Sequence, residues 1–115
     1  MFWANTEDKM ATVIVTWDNP SDAASAKAAD AKAAQWRATA LKQPGLLEFT
    51  ALVSVQNPHT GIILEDFATG SEAGAYLGSD QFAKIVSEMT AAGITNIKAS
   101  LWNAHPDVPK TLRPE

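Results

Sequence analysis

The sequence predicts an α+β domain of ferredoxin-like β-α-β-β-α-β order, with a four-stranded antiparallel sheet and both helical segments on one face. Three observations carry this prediction. Four short runs rich in β-branched and aromatic residues are bounded by turn clusters. Two longer runs have helical composition or spacing and carry helix-start signals. Two helices cover one face of such a sheet only, so the other face is expected to pair with a second copy and close a dimeric α/β barrel.

A chain of 115 residues has room for one core. Its first strand is Thr12 to Trp17, ended by Asp18-Asn19-Pro20. Asn19 is the expected helix cap, Pro20 the first helical residue and Asp22 a first-turn acid favoured by the helix dipole. Ten alanines between Ser21 and Lys42 give strong helix propensity. They predict a helix packed closely on the sheet, with Trp36 and Leu41 supplying bulk, and Gln43-Pro44-Gly45 stops it.

In the second strand Leu47, Phe49, Ala51, Val53 and Val55 alternate with Glu48, Thr50, Ser54 and Gln56, Leu52 being the exception. The turn cluster Asn57 to Gly61 leads into a third strand, Ile62 to Ala68, as a hairpin. Thr69 and Glu72 have capping-box spacing and open a second helical region, interrupted at Gly78-Ser79-Asp80. Beyond the break Phe82, Ile85, Val86 and Met89 share one helical face, and Gly93 stops the run. Thr95 to Trp102 is the last strand, with Ile97, Ala99 and Leu101 on one side and Lys98 and Ser100 on the other. Residues 1–10 are read as an N-terminal arm, 11–103 as the domain and 104–115 as a tail. Met10 offers an alternative start, and an arm that lies on a neighbour through Phe2 and Trp3 is the other reading.

A net charge of −4 and nine scattered Lys and Arg residues argue against a nucleic-acid partner. The absence of cysteine removes disulfides, thiolate catalysis and Cys-based metal sites, and it fits a cytoplasmic location. No apolar run reaches membrane-spanning length, and the polar, acidic start is unlike a secretory signal.

Several motifs resemble the antibiotic-biosynthesis-monooxygenase family of the dimeric α/β-barrel superfamily. They are Pro44-Gly45-Leu46-Leu47-Glu48-Phe49 leading into the second strand, the aromatic Phe67 closing the third, and Ser71 to Phe82 across the second helical region. The similarity spans roughly residues 11 to 103. It implies a homodimer joined through the open sheet face and a small aromatic or polyketide-like substrate, transformed without metal or flavin. Quinone-forming members carry an Asn four residues before a Trp in strand three, where this chain has Ile63 and Phe67. Val86 stands where haem-degrading members carry a His.

Among the candidate site residues, Glu65 and Asp66 are adjacent on a strand and so point to opposite faces. One of them must enter a largely apolar face, where its pKa would rise and it could serve as a base. The alternative is a surface ion pair. Trp17, Phe49, Phe67 and Trp102 are candidate walls of a pocket for a flat apolar molecule, and equally candidate core residues. Tyr76 adds a polar handle to that group and joins the catalytic candidates. His59 lies in the hairpin turn and His105 in a proline-flanked tail, both read as solvated. No metal-ligand spacing, nucleophile elbow or phosphate loop is present, since Gly70, Gly74 and Gly78 fall within the helical region, so no cofactor is expected. Two functions follow: a cofactor-independent monooxygenase or isomerase, or a non-catalytic small-molecule binder or stress-associated dimer.

Overall fold

The computed structural model describes residues 8–115, so the reading of an arm through Phe2 and Trp3 lies outside the described residues. The elements are β1 (Ala11–Asp18), α1 (Ala23–Leu41), β2 (Leu46–Val53), β3 (Thr60–Phe67), α2 (Gly70–Leu77), α3 (Asp80–Ala91) and β4 (Thr95–Asn103). The strands form one antiparallel sheet in the order β2-β3-β1-β4. This is the ferredoxin-like α+β arrangement, with the second helical region divided in two. The break falls at Gly78-Ser79, where the Ser79 hydroxyl accepts from the Phe82 amide at 3.1 Å and caps α3.

Register assigns every strand residue to a face. Val13 pairs with Glu65 and Leu101, and Glu65 pairs with Phe49, so these four share the side that the helices cover. Ala11, Val15, Trp17, Phe67 and Ile63 lie on the same side by alternation. Thr12, Ile14, Leu64, Asp66, Leu52 and Trp102 form the opposite, open face. The core is built on the covered side from Ala11, Val13, Val15, Ala40, Phe67, Ala73 and Tyr76, with a second cluster of Ala29, Met89 and Ile94.

Three details differ from the sequence expectation. Helix α1 begins at Ala23 with Asp22 as its cap, the carboxylate accepting from the Ser25 amide at 2.9 Å. Asn19 is drawn elsewhere, because its backbone N–H extends the β1–β3 ladder by donating to the His59 carbonyl at 2.7 Å and its side chain accepts from the Trp17 indole at 3.2 Å. In β2 a bulge between Leu46 and Glu48 leaves Leu47 exposed, and Val55 lies beyond the strand and is fully exposed. The third difference has the largest consequence: α1 does not pack closely on the sheet. Its alanines are too short to fill the space beneath the helix, Leu41 points to solvent, and a cavity remains between helix and sheet.

Two turns hold the frame. Gly45 sits at φ +80 beside the Glu72 carboxyl group, where a Cβ would overlap it. Across that turn, Thr69 caps α2, its hydroxyl accepting from the Glu72 amide at 3.1 Å as the sequence expects.

A candidate active site between the sheet and the first helix

The cavity has a volume of about 250 Å³. Its floor is the covered face of the sheet, with Val15, Trp17, Phe49, Ala51, Gly61 and Ile63. Its roof is α1, which contributes Ala29, Ala33, Trp36 and Ala40, the inward stripe of the helix. Tyr76 and Phe82 close one side, and Met89 and Ile94 the other. The lining is thus mostly apolar and strongly aromatic, with Asn19, Asp30 and Arg37 as polar additions.

Glu65 lies behind this wall. It is wholly buried, and neither carboxylate oxygen has a hydrogen-bond partner. Its cross-strand partner Phe49 and its same-face neighbour Ile63 both line the cavity. Burial in this apolar setting disfavours the charged form and pushes the carboxyl pKa up to about 7. Tyr76 stands beside it, and the phenol is raised by burial first and by the Glu65 charge second. The Tyr76 ring is tilted on Phe67 at 5.7 Å and meets Phe82 edge-on at 5.2 Å, which fixes its orientation at the cavity wall.

The sequence candidates therefore divide. Trp17, Phe49 and Tyr76 meet at the cavity, with Glu65 behind them and Phe67 packed beneath Tyr76. Asp66 and Trp102 are on the other side of the sheet, as the alternation of β3 and the register of β4 require. Asp66 accepts from the Thr12 hydroxyl and meets the Lys110 ammonium at 3.4 Å, the surface ion pair that the sequence offered as the alternative. The Trp102 indole donates to the Ser100 hydroxyl at 2.7 Å and is largely exposed. The contributions of α1 were missed. Their signal was present in the spacing of Ala29, Ala33, Trp36 and Ala40, with Asp30 and Arg37 seven residues apart on the flank of the same face. Among the described residues no cluster of three His, Cys, Asp or Glu could hold a metal ion, and no helix is long and apolar enough to cross a membrane.

Fold and cavity together define a small ferredoxin-like α+β domain with an aromatic-lined cavity between its sheet and first helix. The sequence profile of the antibiotic biosynthesis monooxygenase family matches residues 10–88, and the chain belongs to that family. Solved structures agree in fold. SnoaB, a cofactor-independent oxygenase from Streptomyces nogalater, superposes with a TM-score of 0.67 at 15% identity, covering 88% of this chain and 98% of that one. A conserved protein from Methanosarcina mazei gives a TM-score of 0.67 at 13% identity, over 83% of this chain and 92% of its own. A conserved protein of unknown function from Bacteroides thetaiotaomicron gives 0.65 at 17% identity, over 84% of this chain and 98% of its own. No curated protein sequence matches the chain.

Proposed function

We propose that the chain is a cofactor-independent monooxygenase acting on a small aromatic or polyketide-like compound in the cavity beneath α1. The observation that carries this reading is Glu65, a buried carboxylate with no partner, placed behind an aromatic-lined cavity. With a pKa near 7 it is partly ionised at neutral pH and strong enough to take a proton from an activated ring carbon. Family membership and the SnoaB fold add support from a different direction.

The chemistry balances with dioxygen alone as co-reactant. Once a bound ring displaces the Phe49 or Ile63 side chain that covers it, Glu65 takes one proton from a ring methylene made acidic by an adjacent phenol or carbonyl, and the anion spreads over the ring. Dioxygen bonds to that carbon, and the proton returns from Glu65 to the outer oxygen to give a hydroperoxide. The O–O bond then breaks as water leaves with the second hydrogen, so the methylene becomes a carbonyl. Tyr76 would hold the substrate oxygen through its hydroxyl, and the apolar walls would keep bulk water from the anion.

Two further parts belong to this proposal. A homodimer would join the outer faces of two sheets, because Ile14, Leu52, Leu64 and Trp102 form an apolar patch there that no helix covers, the tail from Ala104 to Lys110 lying along one part of it. A cytoplasmic location is part of the same reading, and the cysteine-free sequence is compatible with it.

An oxygen-electrode assay with a panel of anthrones and polycyclic hydroquinones tests the reaction. The expected result is oxygen uptake matched by carbonyl product, reduced about 100- to 10,000-fold in Glu65→Gln. Unchanged turnover in that variant would overturn the role of Glu65. Binding without oxygen uptake across the panel would favour a non-catalytic binder, a reading that the apolar Ile63 and Phe67 support at the positions of the family's Asn and Trp.

A further inference from the structure

We infer that α1 is a hinged lid over the cavity, held along α3 and free to lift at the β2 edge. The inference rests on the cavity being the substrate site and adds the motion that admits a ligand to it.

The polar ties of α1 are one-sided. Pro20, in the turn that leads to the helix, lies against Gly93, where a Cβ would come within 3.3 Å of its ring. The Trp36 indole donates to the Glu88 carboxylate at 2.9 Å. Just past the helix, the Gln43 amide donates to the Gln81 side-chain oxygen at 2.6 Å. Gln81 and Glu88 stand on α3, and Gly93 follows its end. The three points therefore run antiparallel along the length of α3, as hinges run along the edge of a door. That edge is itself fixed, because Phe82, Ile85 and Met89 of α3 reach the two core clusters with large side chains.

The opposite flank has no such ties. With about 100° of rotation per residue, Trp36 and Gln43 fall on one side of the inward stripe of Ala29, Ala33 and Ala40. Asp30 and Arg37 fall on the other, away from α3. Among the described residues no side-chain hydrogen bond or ion pair joins residues 23–41 to β2 or β3. There the cavity is bounded by Ala51, Leu52 and Val53 of the edge strand β2, and Leu52 and Val53 are exposed. Inward, only Ala29 and Ala40 of the 19 helix residues are buried, and each brings a single methyl group. An element with so little buried apolar surface belongs to the part of a fold that opens locally, well before global unfolding.

The test is hydrogen exchange of the intact chain, read by mass spectrometry, with and without 1-naphthol as a flat neutral probe. Amides of α1 are expected to exchange at least about tenfold faster than those of β1 and β3, at rates that change little with low urea. Saturating 1-naphthol should slow α1 by about tenfold and leave α3 as it was. Glu88→Ala removes a hydrogen bond to a charged group, so α1 exchange and the association rate of 1-naphthol should each rise about tenfold while α2 holds. Glu88→Gln keeps an acceptor for the indole and should restore part of the difference. Spin labels at Arg37→Cys and Val53→Cys, specific in a chain with no other cysteine, should show a broad distance distribution across the mouth that narrows with 1-naphthol. Exchange of α1 through global unfolding alone, or rates unmoved by Glu88→Ala, would overturn the lid. So would a probe that binds without slowing α1 or narrowing the mouth. No binding of 1-naphthol would overturn it together with the cavity's assignment as substrate site. Gated binding without oxygen uptake would sustain it while removing the oxygenase reading.

Discussion

Glu65 and Asp66 are neighbours in the chain and opposites in environment. Both stand on β3, but the alternation of the strand sends one toward the helices and the other to the open face. Asp66 finds a hydroxyl donor in Thr12 and an ammonium in Lys110. Glu65 finds Val13, Phe49 and Phe67 as neighbours, and no donor. A buried carboxylate left without partners is destabilising unless it is neutral, so its retention in the core needs a reason other than folding. The difference between the two positions separates a paired carboxylate from a desolvated one with no partner.

The comparison breaks most sharply in catalysis. Glu65→Gln should lower oxygen uptake about 100- to 10,000-fold, whereas Asp66→Asn should change it by no more than about threefold. Equal losses in steady-state rates would erase the distinction. Next comes the pH dependence of stability. The folded carboxyl is pushed up to about 7 from an ordinary value of 4.5, so between those pH values the native state holds a proton that the unfolded chain releases. Stability should therefore fall as pH rises through this window, by up to about 3 kcal/mol, and be level on either side of it as far as this group decides. Glu65→Met should lose that slope and melt higher than the wild type above neutral pH, as thermal unfolding monitored by circular dichroism would reveal.

The two faces also differ in what a charge would do to assembly. Leu64→Asp, on the open face, should weaken a dimer by about 100-fold and leave the fold intact, which native mass spectrometry and circular dichroism would report together. A dimer that persists at micromolar concentration would place the interface elsewhere. On the covered side, Gly61→Ala should push the Trp17 indole off the sheet, cost about 1–2 kcal/mol and shift tryptophan emission. The smallest effect belongs to Lys110→Ala. Its exposed ion pair with Asp66 should contribute less than about 1 kcal/mol to unfolding in denaturant.

Much of this architecture was legible in the sequence. The alternation of the strands, the Thr69–Glu72 box and the Gly78-Ser79 break are local signals, and each acts within one turn or one strand. That Glu65 and Asp66 must face apart was legible too, but which one enters the core depends on pairing with β1 and β2, a non-local property. The start of α1 was misjudged because Asn19, a good cap by composition, is held by Trp17 and by the His59 carbonyl. The cavity itself was hidden for a related reason. An alanine-rich helix reads as a closely packed one, and only the third dimension reveals that Trp36, Trp17 and Tyr76 hold the space open around it.

The central claim is that Glu65 is a buried carboxyl group that ionises near neutrality. Carbon-13 NMR titration of the glutamate side-chain carboxyls, in the wild type and in Glu65→Gln, tests it most directly. The account predicts one resonance with a midpoint of about 7 that disappears in the variant. If every glutamate of the wild type titrates at ordinary carboxylate values, Glu65 is solvated and the account of the site is wrong.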